Sequence, residues 1–112
     1  MSSIITSVVV TYLYPKKGMS KFDKNYYEKH HIPTTVASFG PLGMISCVVY
    51  ANEEDAEFAY SVITVWKGEK EWKSASASKE ASELAQDVKN FMDVEPLVVV
   101  GKVWMDGLPK VQ

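Results

Sequence analysis

Hydrophobic periodicity changes twice from strand-like to helix-like along the chain, and that order limits the folds open to it. "IITSVVVTYLY" over residues 4–14 is β-branched and aromatic and stops at the turn "PKKG", the signature of a strand. "MISCVVYA" (44–51) and "EFAYSVITVWK" (57–67) flank the short polar "NEEDA", which suits an antiparallel hairpin. "PLVVVGKVWM" (96–105) reads as a closing strand. Between the first and second strands, and again between the third and fourth, apolar residues recur at helical spacing. The order β-α-β-β-α-β predicts an α+β, ferredoxin-like domain spanning 1–112, a four-stranded antiparallel sheet with both helices on one face.

The helix boundaries are written in the capping residues. Ser20 stands three positions before Asp23, so the hydroxyl can take an orphan backbone N–H while the acid meets the positive helix end. That spacing predicts a helix from Ser20 through His31. Pro33 bends it or begins a second short segment, because proline lacks the N–H and disfavours the α conformation at Ile32. "FGPLG" (39–43) ends it. In the later helical stretch, Trp72, Ala77, Ala81, Leu84, Val88 and Phe91 share a face, and Ser78 is placed to cap a longer second piece. Leu84, Val88 and Phe91 are expected to face the sheet.

A chain of 112 residues is one domain by length and long enough to bury a core. Its net charge of -2 is spread along the sequence with no basic block to track phosphates, which argues against nucleic acid as a partner. No run reaches the roughly 18 apolar residues of a membrane span, and the N-terminus lacks the pattern of a signal peptide. A single cysteine, Cys47, allows no internal disulfide, so a cytoplasmic protein with an inert strand thiol is expected. Adjacent His30 and His31 diverge by about 100° on a helix, and no Cys pair or "HExxH" is present, so no metal is expected. A four-stranded sheet has a second face, here too apolar to stand in water, and the economical cover is a homodimer with two sheets packed face to face.

The stretch "FDKNYYEKHHIP" (22–33) resembles the "FDxxYYxxxHxP" signature of the EthD family, of the dimeric α+β barrel superfamily. The first strand ending in "YP", the "FG" turn, Trp72, and "SASASKEASELAQDVKNF" in place of a helix that ends near "DxxNF" extend the resemblance over the whole domain. It implies a dimeric barrel, a family name tied to ether degradation and oxidative pathways, and no cofactor. It places the family's histidine at His31, its proline at Pro33 and its tyrosine pair at Tyr26 and Tyr27, and leaves His30 outside the pattern.

On a regular helix Tyr27 and His31 lie four apart and share a face, as do Asp23 and Tyr27, so a carboxylate, a phenol and an imidazole form one stripe fit for proton relay. His30 pairs instead with Tyr26. Histidine exchanges protons near neutrality, and a carboxylate beside it would orient it. Asp87, carried over from the "DxxNF" resemblance, is the candidate for that role. The plainer alternative has His31 satisfying backbone groups where Pro33 breaks the helix, with the tyrosines as packing. Phe39, Tyr50, Trp66 and Trp104 are the candidates to line a pocket between sheet and helices for a small apolar or aromatic molecule, against ordinary core packing for each. The resulting expectation is a cofactor-independent, enzyme-like pocket with His31, Tyr27 and Asp87 carrying proton-transfer or oxidative chemistry of isomerase, decarboxylase, dehydratase or oxygenase type. Two alternatives stand beside it: a haem-binding barrel protein with a helix histidine under the iron, and a small-ligand-binding module without turnover.

Overall fold

The computed structural model describes residues 6–107. Strand β1 (Val8–Pro15) is followed by a 3-10 turn (Met19–Lys21), then by a helical run made of α1 (Lys24–Tyr26), a π-helical turn (Tyr27–His31) and α2 (Ile32–Phe39). Strands β2 (Met44–Ala51) and β3 (Phe58–Trp66) form the hairpin around "NEEDA". Helices α3 (Glu69–Ser76) and α4 (Lys79–Asp87), a 3-10 turn (Val88–Asn90) and β4 (Leu97–Lys102) complete the chain. The sheet order is β2-β3-β1-β4 with all pairs antiparallel, the ferredoxin-like arrangement that the periodicity predicts. Residues 4 and 5 of the expected first strand lie outside the described residues, and β4 ends at Lys102, before Val103.

Register decides which side chains meet the helices. Val8, Val10, Tyr12 and Tyr14 alternate along β1 and stand opposite Trp66, Thr64, Val62 and Tyr60 of β3, so these residues share one face. Val8, Val10, Val62, Thr64 and Trp66 on that face are buried under α2 to α4. In β2 the register slips between Met44 and Ser46, so Ile45 is an extra residue and the parity of the strand inverts after it. Cys47 and Val49 therefore face the helices, while Val48 and Tyr50 face the open side, about half exposed at 53% and 45%. The open face also carries Val9, Thr11, Leu13, Ile63, Val65, Leu97 and Val99.

One helix boundary departs from the capping pattern and another follows it. The first helix is capped by Asp23, whose carboxylate accepts the Tyr26 N–H at 3.0 Å, while Ser20 lies in the preceding 3-10 turn. Phe22, in an extended conformation, separates the two. Ser78 caps α4, accepting the Ala81 N–H at 3.2 Å, as its position suggests. Gly43, in the turn just before β2, has φ 118°, a left-handed conformation natural to glycine, and a Cβ there would lie 2.7 Å from the Glu71 side chain. No helix among the described residues is long and apolar enough to cross a membrane.

Candidate active site

The π-helical turn is where the backbone departs from regular geometry and where the polar chemistry gathers. The Ile32 N–H reaches back five residues to the Tyr27 carbonyl instead of four. Pro33 follows in the first turn of α2, where its missing N–H is least costly. In a straight α-helix, residues five apart are rotated by about 140° from one another. The widened turn takes up that rotation, so Tyr26 and His31 reach the same carboxylate.

That carboxylate is Asp87, at the end of α4. Its Oδ2 meets His31 Nδ1 at 2.8 Å, and its Oδ1 accepts from the Tyr26 hydroxyl at 2.6 Å and from Asn90 Nδ2 at 2.9 Å. Asp87 and Asn90 are the acid and amide of "DVKNF", and Phe91 from the same segment lies against the imidazole with ring centroids 4.5 Å apart. The two sequence signatures thus meet in one cluster. Because an ionised carboxylate only accepts, Nδ1 carries the proton and Nε2 holds the lone pair. Burial lowers the pKa of His31 below its ordinary 6.5 despite the opposing pull of Asp87, so the ring is neutral at pH 7. Partial burial raises the Asp87 carboxyl, but the hydrogen bonds from Tyr26, Asn90 and His31 outweigh it and hold it at about 2. Tyr26 and Asn90 donate whatever the charge on the imidazole, which keeps Asp87 ionised beside a neutral histidine.

His31 opens onto a cavity of about 280 Å³ between the sheet and α2 to α4. Tyr12, Tyr14, Val62, Thr64 and Val98 form the sheet wall. Ile32, Thr35 and Phe39 from α2, Trp72 and Ser76 from α3, and Ala81, Leu84, Ala85 and Val88 from α4 into the following turn form the helix wall. Glu95 and Pro96 border it before β4. Burial raises the Tyr12 and Tyr14 hydroxyls to about 12, so both are protonated donors at neutral pH.

The residues singled out from sequence divide accordingly. His31 and Asp87 come together as the resemblance implies. Tyr27 stacks on His31 with centroids 5.6 Å apart, but the tyrosine bonded to Asp87 is its neighbour Tyr26. Among the described residues the buried Tyr27 hydroxyl makes no well-formed hydrogen bond, and the Tyr14 hydroxyl lies beside it. His30 is exposed and lies tilted against Tyr26 with ring centroids 4.8 Å apart. Phe39 lines the cavity. Trp66 is completely buried beneath it, its indole N–H donated to Thr64 Oγ1 at 3.0 Å. Tyr50 lies on the open face because of the bulge at Ile45, and Trp104, past the end of β4, is 87% exposed, so neither reaches this cavity. Cys47 is half-buried, and burial raises its thiol pKa. Among the described residues no group of three His, Cys, Asp or Glu side chains is placed to hold a metal ion. Sequence reasoning passed over Tyr12 and Tyr14, although their i, i+2 spacing in β1 puts both on the face of Val8 and Val10.

No protein-family model and no curated protein matches the sequence. Solved structures do share the fold. An EthD-like protein from Ralstonia eutropha superposes with a TM-score of 0.74 at 20% identity, over 90% of this chain and 95% of that one. An EthD family protein from Bacillus halodurans gives 0.61 at 16% identity, over 86% and 95%. SnoaB, a cofactor-independent oxygenase from Streptomyces nogalater, gives 0.63 at 16% identity, over 93% and 97%. The chain therefore has the α+β, ferredoxin-like fold of EthD-like proteins.

Proposed function

We propose that the chain is an EthD-like, cofactor-independent proton-transfer protein acting on a small apolar or aromatic molecule, with His31 as general base, and that it assembles as a homodimer with an independent site in each copy. The observation that carries this reading is the 2.8 Å link from Asp87 to His31 Nδ1 on the wall of an apolar cavity. It fixes the tautomer, leaves Nε2 free to take a proton, and keeps the imidazole neutral at physiological pH. The resemblance to a cofactor-independent oxygenase fits the same first step, since removing a proton makes a carbanion or phenolate that is more easily oxidised. Asp87 orients the ring and stabilises the imidazolium as it forms.

Deuterium exchange at the carbon next to the carbonyl of 2-tetralone, followed by proton NMR in D2O, isolates that step without an oxidant. Exchange above the buffer rate, reduced about 10²- to 10⁴-fold in His31→Ala and little changed in His30→Ala, is expected. Exchange no faster than buffer, or equal in wild type and His31→Ala, overturns the assignment.

A further inference from the structure

We propose that Tyr14, supported from behind by Tyr27, is the hydrogen-bond donor that receives the substrate's oxygen, and that the substrate is a neutral one- or two-ring enolisable ketone or phenol. This deepens the reading of His31 as base and rests on it.

Tyr14 is 3% exposed, lines the cavity from the sheet wall, and meets the Tyr27 ring edge-on with centroids 5.7 Å apart. Tyr27, 4% exposed, encloses a hydroxyl that makes no well-formed hydrogen bond among the described residues. Burying a hydroxyl without a good hydrogen bond is costly, so it calls for an explanation. The polar group beside it is the Tyr14 hydroxyl. When Tyr14 turns its own proton toward a ligand oxygen, its lone pair is free to accept from Tyr27, and each hydrogen bond strengthens the other. His31 reaches the same cavity from the helical layer, so base and donor approach a bound molecule from different walls. In the step this arrangement serves, the C–H bond next to the carbonyl breaks and its proton passes to His31 Nε2. The electron pair moves into a new C=C bond as the carbonyl π pair moves onto oxygen, where Tyr14 holds it.

The cavity also selects charge. Among the described residues no lysine or arginine lines it, the one acidic wall residue is Glu95, and Asp87 stands ionised behind His31. A carboxylate or phosphate entering would be desolvated without a counter-ion and repelled by both acids. A neutral ring system with one oxygen meets apolar walls and a phenol donor.

The test compares naphthalene, 2-naphthol and 2-naphthoate by equilibrium binding to wild type and to Tyr14→Phe, Tyr27→Phe and Tyr12→Phe. In the wild type, 2-naphthol is expected to bind about tenfold more tightly than naphthalene, and 2-naphthoate more weakly than either. Tyr14→Phe should remove the advantage of the hydroxyl and leave naphthalene binding unchanged, with Tyr27→Phe giving a smaller loss in the same sense. Equal affinity of the wild type for naphthalene and 2-naphthol, or a loss carried by Tyr12→Phe instead, overturns the assignment of Tyr14 while leaving the proton-transfer reading standing. Tight binding of 2-naphthoate overturns the neutral substrate class. Failure of all three ligands to bind removes the small-molecule cavity itself and with it the function proposed above. The wild-type comparison decides the hydroxyl preference and the charge class without any variant, and the Tyr14 and Tyr12 variants decide which phenol holds the oxygen.

Discussion

Asp87 accepts hydrogen bonds from Tyr26, Asn90 and His31, and its behaviour with pH follows from those partners. Its folded-state pKa of about 2 lies below the ordinary 3.8, so the unfolded chain binds the proton more readily. The stability it contributes is complete above pH 4 and is lost as pH falls toward 2. His31 also has a lowered folded-state pKa, so stability rises with pH through the window just below 6.5 and is flat above it. Exchange catalysed by the neutral imidazole should follow the same curve, constant above pH 6.5 and falling in acid as the ring protonates. Asp87→Asn removes the charge that holds the His31 pKa up, so the inflection should move to lower pH and the rate at pH 7 should drop about tenfold or more. A rate profile with imidazole NMR titration checks both parts. An inflection that moves to higher pH in Asp87→Asn would mean that Asp87 does not face the imidazole. Tyr26→Phe takes one donor from Asp87 and should raise the carboxylate's pKa, a shift visible by carbon NMR of its carboxyl group.

At the scale of elements, the turn after α4 joins stability to the site. Phe91 is 1% exposed and packs against Phe22, Tyr14, Tyr26, Tyr27 and His31. Phe91→Ala should cost about 3–5 kcal/mol and loosen the imidazole, measured by denaturant unfolding and by the loss of exchange activity. Ser78→Ala, which removes the cap of α4, should cost about 0.5–2 kcal/mol and leave the site chemistry intact. Much of this level was legible in the sequence because its signals are local: the alternation of β1, the polar hairpin connection, the serine cap, and the apolar face of Leu84, Val88 and Phe91. Two single-residue irregularities were not legible. The π-helical turn leaves the local pattern of "YYEKHH" unchanged yet brings Tyr26, rather than the i, i+4 residue Tyr27, to the carboxylate that holds His31. The bulge at Ile45 adds one apolar residue to an apolar strand, with no glycine or proline to mark it, and so turns Tyr50 away from the helices. The pairing of His31 with Asp87 spans 56 residues and was reached only by aligning two signatures of a resembling family, since no periodicity links them.

For the whole molecule, the open face of the sheet remains to be accounted for. Leu97, Val99 and Val48 stand on it about half exposed, at 53%, 49% and 53%, next to Val9, Leu13, Ile63 and Val65. A contiguous apolar surface across four strands is more than a soluble monomer ordinarily shows. Two copies related by a two-fold axis would bury the same patch on each other, because an isologous interface is self-complementary. The helices would then lie on the outside of the pair, and each cavity, which sits on the helix side of its own sheet, would be untouched by the interface. Sedimentation equilibrium at micromolar concentration should therefore show a dimer. Leu97→Lys with Val99→Lys, two charges on the open face of β4, should shift it to monomer, since each lysine would be buried against an apolar surface without a partner. The same double variant should retain 2-tetralone exchange per chain if it remains folded by circular dichroism, because His31, Asp87 and the cavity lie on the other side of the sheet. A folded wild-type monomer at that concentration would leave the apolar face without this explanation, and a dissociated variant that loses exchange would show that the second copy completes the site.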